Sequence, residues 1–90
     1  MSATPRTLAD LKAAFDREGI DPRSYSFTSY GIGEVYRIET SRDPKGARWH
    51  VYYAERGLRT GEQIFRSEAE ACALLYEKIT RDFTTRLRSS

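Results

Sequence analysis

The sequence predicts a small α+β domain with two layers, in the order α-β-β-β(β)-α and with both helices on one face of an antiparallel sheet. Amphipathic helical patterns lie near both ends of the chain, and aromatic and β-branched residues alternate with polar ones between them. Two such helices need a common apolar surface, which one face of the sheet supplies. Its 90 residues suffice for one core, so a single domain is expected, with flexible ends at 1–6 and 87–90.

Capping residues delimit the first helix. Thr7 can accept a hydrogen bond from the backbone N–H of Asp10, so a helix is expected to begin after Thr7. Gly19 can adopt the left-handed conformation that ends a helix, and Ile20 would then contact Phe15 as in a Schellman motif. The apolar residues of this helix share one face: Leu8, Leu11, Ala14 and Phe15.

Alternating polar and apolar residues predict the next strands. A short strand is expected within 24–28, although the pattern there leaves open whether it forms, and Gly31 to Gly33 supply a turn. A clearer strand spans 34–40. The Asp-Pro-Lys-Gly sequence at 43–46 predicts a turn, because proline presets φ and glycine accepts a positive φ.

A hairpin follows this turn. The strand at 48–54 places Trp49 towards the core, and a return strand is expected at 63–65. Only one of Ile64 and Phe65 can face inward in a regular strand, and we assign Phe65 to the core. The opposite, open face of the sheet would carry Val35, Arg37, Glu39, His50, Tyr52, Glu62, Ile64 and Arg66.

The second helix is predicted to begin at a capping box. Ser67 and Glu70 have the S-x-x-E spacing in which each side chain accepts from a backbone N–H of the other residue. An apolar stripe follows at Cys72, Leu75 and Ile79. Ala71, Tyr76 and Phe83 widen it.

Composition excludes several classes of protein. The net charge is +2, and the excess of basic residues lies in 31–66, which contain seven Lys and Arg against five Asp and Glu. One cysteine and one histidine cannot supply the usual four ligands of a structural zinc site, so no cofactor is expected. The chain has no apolar run long enough to span a bilayer and no secretory pattern at its start, so we expect a cytoplasmic protein without a membrane partner.

The residues give little support to an enzyme. Cys72 falls in the apolar stripe of a helix and is more simply a small buried hydrophobe than a nucleophile. His50 alternates with core residues on a strand, where an idle exposed imidazole is commoner than a general base. Gly31 and Gly33 do not belong to a phosphate-binding motif. The sequence therefore predicts no enzymatic activity and no small-molecule substrate.

A nucleic-acid-binding role is the alternative that the element order suggests. The order α-β-β-β-α also describes double-stranded-RNA-binding domains, so a small nucleic-acid-associated regulatory domain is possible in topology. Glu68 and Glu70, however, would place two carboxylates where such a domain docks phosphates. Nucleic acid is therefore not the expected partner.

A protein-binding role uses the open sheet face and the connection at 55–59 beside it. Aromatic and guanidinium groups are enriched at interface centres, and this region offers several. An ordinary solvated sheet face is the equal alternative, and the oligomeric state stays open. The candidate partner-binding residues are Arg37, His50, Tyr52, Glu55 and Arg56.

Two stretches carry a resemblance to a known class of protein. They run from Trp49 to Gly57 and from Phe65 to Cys72, followed by Leu75. Over about residues 48–80 the chain resembles small bacterial immunity proteins of polymorphic toxin systems. That resemblance implies a cytoplasmic protein that binds a cognate toxin protein and blocks the toxin's active site. It implies no catalytic residues.

Overall fold

A computed structural model of the chain describes residues 4–27 and 34–86. Its helices are α1 (Leu8–Glu18) and α2 (Glu68–Arg81), and its strands are β1 (Tyr25–Ser26), β2 (Val35–Asp43), β3 (Gly46–Glu55) and β4 (Leu58–Phe65). Short 3₁₀ turns span Pro22–Ser24 and Phe83–Thr85. The α+β class is confirmed. Several predictions concern parts of the chain outside the described residues: the turn at 31–33, the strand end at Thr28, the chain ends at 1–3 and 87–90, and the side chain of Phe83. Within the N-terminal end that was expected to be flexible, Pro5 is buried.

The sheet is mixed, whereas the sequence predicted an antiparallel one. Its strand order is β1-β2-β3-β4, and β2, β3 and β4 are antiparallel neighbours. Strand β1 runs parallel to β2 through only two residue pairs, beginning with Tyr25 opposite Tyr36. The chain before β1 is anchored elsewhere, since Ile20 bridges to Arg86 and the Asp21 N–H donates to Thr85 at 2.7 Å. This anchoring sets the direction in which β1 meets β2, and a two-residue strand carries no pattern that could reveal it.

The hairpin between β3 and β4 is tighter and longer than the sequence indicated. Glu55 pairs with Leu58, and the two residues between them, Arg56 and Gly57, have φ of 49° and 80°. Positive φ at both positions is typical of a type I′ turn, whose twist matches that of paired strands. As a result β4 begins at Leu58, five residues before the predicted 63–65 strand.

A β-bulge interrupts the pairing of β3 with β4. Val51 pairs with Gln63 whereas Tyr53 pairs with Thr60, so β4 contains one extra residue at this point. Gly61 lies there with a φ of 65°, the left-handed conformation that glycine adopts in a G1 bulge. The extra residue changes the facing of every side chain on the turn side of the bulge.

The core is built from residues of the sheet and of both helices. Ile38 and Val51 are directly paired and fully buried, and α2 contacts both of their strands. From α1, Phe15 joins this core and packs on Tyr25 with ring centroids 4.6 Å apart. The buried residues contributed by the helices are Leu11, Ala14, Phe15, Ala71, Cys72, Leu75 and Ile79.

The predicted facing of the hairpin is confirmed. Trp49 and Phe65 are directly paired and pack against the core, while Ile64 is 51% exposed. The period of two therefore assigned both strands to the correct faces.

The predicted caps at Thr7, Gly19 and Ser67 are confirmed, whereas the reciprocal bond of the capping box, from the Ser67 N–H to the Glu70 carboxylate, is not among the hydrogen bonds of the described residues. The N–H of Asp10 donates to Thr7 Oγ1 at 3.0 Å, and Gly19 has a φ of 72° with the Ile20 N–H donating to the Phe15 carbonyl. Ser67 Oγ accepts from the N–H of Glu70 at 3.3 Å at the start of α2. Within the described part of the chain, neither helix is long and apolar enough to cross a membrane.

We expect Ser67→Ala to lower the free energy of unfolding by about 1 kcal/mol, because it removes the oxygen that accepts the Glu70 N–H. Chemical denaturation of the variant measures this. Ser67→Asp is the matched control, since it keeps an acceptor at the N-cap and should unfold within about 0.5 kcal/mol of the wild type. Equal stability of the alanine variant and the wild type would contradict the role of this cap.

Candidate functional site: a polar network on the sheet

The sheet face opposite Ile38 and Val51 carries a continuous set of hydrogen-bonded side chains. Neighbouring strands bring these side chains together, since Glu39 is paired with His50 and Ala54 with Arg59. We call this set the polar network. Its members are Glu39, Ser41, His50, Tyr52, Arg59 and Glu62.

Arg59 lies at the centre of the polar network. Its guanidinium donates to Glu62 at 2.7 Å and to Glu39 at 3.1 Å, and it lies 4.4 Å from the centroid of the Tyr52 ring. The hydrogen bond from Arg59, with a further one from His50, holds the pKa of Glu62 below its ordinary value of 4.5. A cation–π contact and two charge-assisted hydrogen bonds thus fix one long side chain in place.

Tyr52 is held from both ends. Its hydroxyl donates to Glu39 at 2.8 Å, and Arg59 covers its ring, so only 4% of the residue is exposed. Burial, together with the hydrogen bond to Glu39, raises the pKa of Tyr52. The phenol therefore stays protonated and donates a hydrogen bond at neutral pH.

His50 bridges a hydroxyl and a carboxylate. Its Nε2 lies 2.8 Å from Ser41 Oγ, and its Nδ1 lies 3.1 Å from Glu62. If the ring proton is on Nδ1, His50 donates to Glu62 and can accept from Ser41. In this order of groups, the imidazole of His50 can accept the hydroxyl proton of Ser41. Removal of that proton is the first requirement for a serine nucleophile.

A second ion-pair group continues this face towards the β2–β3 turn. Asp43 is shared by Arg48 and Arg66, whose nitrogens lie 2.5 and 3.4 Å from its carboxylate. On this face, the arginines of both groups therefore already have carboxylate partners.

The structure separates the five residues that the sequence singled out. His50 and Tyr52 belong to the polar network, whereas Glu55 and Arg56 are exposed at the β3–β4 turn. Arg37 is on the network's face but only 4% exposed, with Nη1 3.5 Å from Ser26 Oγ. We expected Tyr52 to be open to solvent, and this was wrong, because Arg59 covers its ring.

Sequence reasoning missed Ser41 and Arg59. Arg59 was assigned to a connection rather than to a strand, and in a regular strand it would lie on the opposite face from Glu62. The bulge at Gly61 brings the two side chains to the same face. A glycine within a strand pattern is a known sign of a bulge, so Gly61 was the available signal.

An exposed apolar side chain flanks the polar network. Ile64 is paired with His50 and is 51% exposed. Polar anchors beside exposed apolar groups are a common composition of protein interfaces.

Within the described residues, no group of three His, Cys, Asp or Glu side chains is arranged to hold a metal ion. Comparison of the chain with models of known protein families, with curated proteins and with solved structures finds no match.

We expect Arg59→Met to make folding stability less sensitive to acid. Because the folded-state pKa of Glu62 is lowered, its contribution to stability is present above about pH 4.5 and is lost as the pH falls through the lowered value. Without Arg59 the lowering of the pKa of Glu62 becomes smaller. Urea denaturation should show that the free energy of unfolding of the variant is about 1 kcal/mol below that of the wild type at neutral pH, and that this difference narrows as the pH falls below 4.5.

Arg81→Met is the control for Arg59→Met, because Arg81 forms an exposed ion pair with Glu77 on α2 and lies apart from the polar network. It should leave the pH profile unchanged. A gap between Arg59→Met and the wild type that is constant with pH would contradict the proposed coupling of Arg59 to Glu62.

We expect Cys72 to resist thiol reagents in the native protein. The side chain is fully buried, and burial raises the pKa of its thiol to about 11, with the charge of Glu68 adding to the effect. Ellman's reagent should label the folded chain far more slowly than the chain unfolded in urea. Equal labelling rates would show that Cys72 is accessible and would reopen a catalytic role for it.

Proposed function

We propose that this chain is a non-enzymatic protein-binding domain that acts as an immunity protein, binding a cognate toxin enzyme in the cytoplasm and inhibiting it. In this proposal both helices cover one face of the sheet, and the toxin docks on the opposite face. The observation that supports the proposal most is the polar network, whose side chains are held in place before a partner arrives.

Restraint of the network favours binding for a physical reason. Ordering a long side chain at an interface costs about 0.5–1.5 kcal/mol, and a side chain that is already ordered avoids this cost. Arg59 is restrained by two carboxylates and an aromatic ring. Ile64, beside His50, supplies apolar area next to these polar anchors.

The charges of this face favour a protein partner over nucleic acid. Nucleic-acid binding depends on cations that are free to neutralise phosphates. Arg48, Arg59 and Arg66 lie within 3.4 Å of carboxylates. A phosphate would therefore have to compete with these carboxylates for the arginines. A small nucleic-acid-associated domain remains the alternative. In that case the affinity of the chain for nucleic acid would fall steeply as the salt concentration rises.

The array of Ser41, His50 and Glu62 raises acyl transfer as a second candidate function. A carboxylate that supports an imidazole must stabilise the positive charge that forms on the ring. Glu62 is already paired with Arg59 at 2.7 Å, which diminishes its capacity to stabilise a second cation. This sharing of Glu62 is why we propose binding rather than catalysis.

Ile64→Asp tests the docking face. Ile64 is exposed, so the variant should remain folded within about 0.5 kcal/mol of the wild type. We expect it to capture at least about tenfold less partner from the native host, because a carboxylate would be buried in the interface. The captured protein, identified by mass spectrometry, should be an enzyme. An equimolar amount of the wild-type chain should inhibit that enzyme.

Ala13→Asp is the matched control, since Ala13 is exposed on α1 and the change adds the same carboxylate. It should capture as much partner as the wild type. Undiminished capture by Ile64→Asp would show that a different surface binds. Capture of a nucleic acid in place of a protein, with binding that weakens steeply as salt is added, would favour the alternative function.

A further inference from the structure

A cavity of about 230 Å³ lies at the end of the sheet where β2 begins, on the opposite face of the sheet from the polar network. Tyr36 and Tyr53, directly paired on β2 and β3, contribute two aromatic rings that meet edge to face with centroids 4.9 Å apart. Asp82, the residue that follows α2, also lines the cavity. The other charged residues of the lining are Asp21, Arg23 and Glu34. The cavity therefore combines aromatic rings with carboxylates.

Hydrogen bonds fix Asp82 in the cavity wall. One carboxylate oxygen accepts from the Tyr36 hydroxyl at 2.9 Å, and the other accepts from the N–H and hydroxyl of Thr84 at 3.0 and 2.6 Å. The donors of Thr84, followed by Tyr36, lower the pKa of Asp82, while burial and the bond to Asp82 raise the pKa of Tyr36 to about 12. At neutral pH the wall thus presents a charged carboxylate beside neutral phenols.

The cavity has an excess of negative charge. Three carboxylates and one guanidinium line it, which gives a formal charge of −3 + 1 = −2. Arg23 is paired with Asp21 at 3.0 Å, and among the described residues neither Glu34 nor Asp82 has an ion pair with a cation. In the polar network, by contrast, each carboxylate contacts Arg59.

The surroundings of Tyr53 show the same imbalance. Burial raises the pKa of its hydroxyl, and the negative charges of Glu34, Glu55 and Asp82 raise it further. Carboxylates gathered around partly buried aromatic rings repel one another, and a bound cation would relieve that repulsion.

We propose that this cavity binds an organic cation, an ammonium or guanidinium group, between the rings of Tyr36 and Tyr53 and the carboxylates of Glu34 and Asp82. Aromatic faces attract cations, and carboxylates add charge-assisted hydrogen bonds. An organic cation fits better than a metal ion, since no metal-binding group of side chains occurs among the described residues. This site is independent of the proposed docking face.

Two sources could supply this group, a free amine or guanidine and the basic side chain of another protein. The test uses butylammonium and butylguanidinium, with 1-butanol as the neutral control, and follows the backbone amide signals of the intact chain by NMR. We expect saturable shifts centred on Tyr53 and Asp82 with both cations and none with 1-butanol. The site is small, so dissociation constants in the millimolar range are expected.

Glu34→Gln should weaken binding of both cations about fivefold, which corresponds to about 1 kcal/mol for one solvated charge contact. Glu34 is exposed, so this variant keeps its fold. Glu77→Gln is the matched control, because it removes the same charge from an exposed position on α2 and should leave the affinity unchanged. Equal weakening by the two variants would overturn the proposal, as it would indicate only a diffuse acidic surface.

Absence of saturable shifts, or equal shifts with 1-butanol, would also overturn it. The source of the cation is decided by comparing butylguanidinium with the capped peptide acetyl-Gly-Arg-Gly-amide. Tighter binding of the peptide assigns the site to a protein side chain. Equal or tighter binding of butylguanidinium assigns it to a free small molecule.

Discussion

The packing of α2 on the paired residues Ile38 and Val51 is the contact on which the rest of the structure depends. Both side chains are fully buried and lie directly opposite one another on β2 and β3. Burying each removes apolar surface from water and contributes about 1.5–3 kcal/mol. Because side chains alternate along a strand, burying this pair also fixes the facing of His50 and Tyr52 on the other side. The polar network is thus positioned by a hydrophobic contact across the sheet.

The bulge at Gly61 modifies this arrangement locally. Alternation alone would send Arg59 and Glu62 to opposite faces, and one extra residue brings them together. Arg59 then shields Tyr52 and links Glu39 with Glu62, so that the network gains its central cation. One backbone irregularity converts separate polar residues into a connected surface.

Charge is distributed differently on the two faces of the sheet. On the network's face, arginines and carboxylates neutralise one another, which leaves a surface suited to geometric complementarity more than to long-range attraction. Around Tyr36 and Tyr53 the carboxylates outnumber the cations. The first surface fits a folded partner, and the second fits a small positive group. The two sites use opposite faces of β2 and β3, so either could act without the other.

The sequence by itself determined what depends on neighbours in the chain. The caps at Thr7, Gly19 and Ser67 and the inward facing of Phe65 rest on hydrogen bonds within a few residues or on the strand period, and a single sequence contains that information.

Only the tertiary structure decided the parallel direction of β1, the burial of Tyr52 and the cavity. The cavity joins Tyr36 to Asp82, which are 46 positions apart, and Tyr52 is covered because a bulge in β4 turns Arg59 towards it. Contacts of this kind form when distant segments pack together, and no local pattern specifies them.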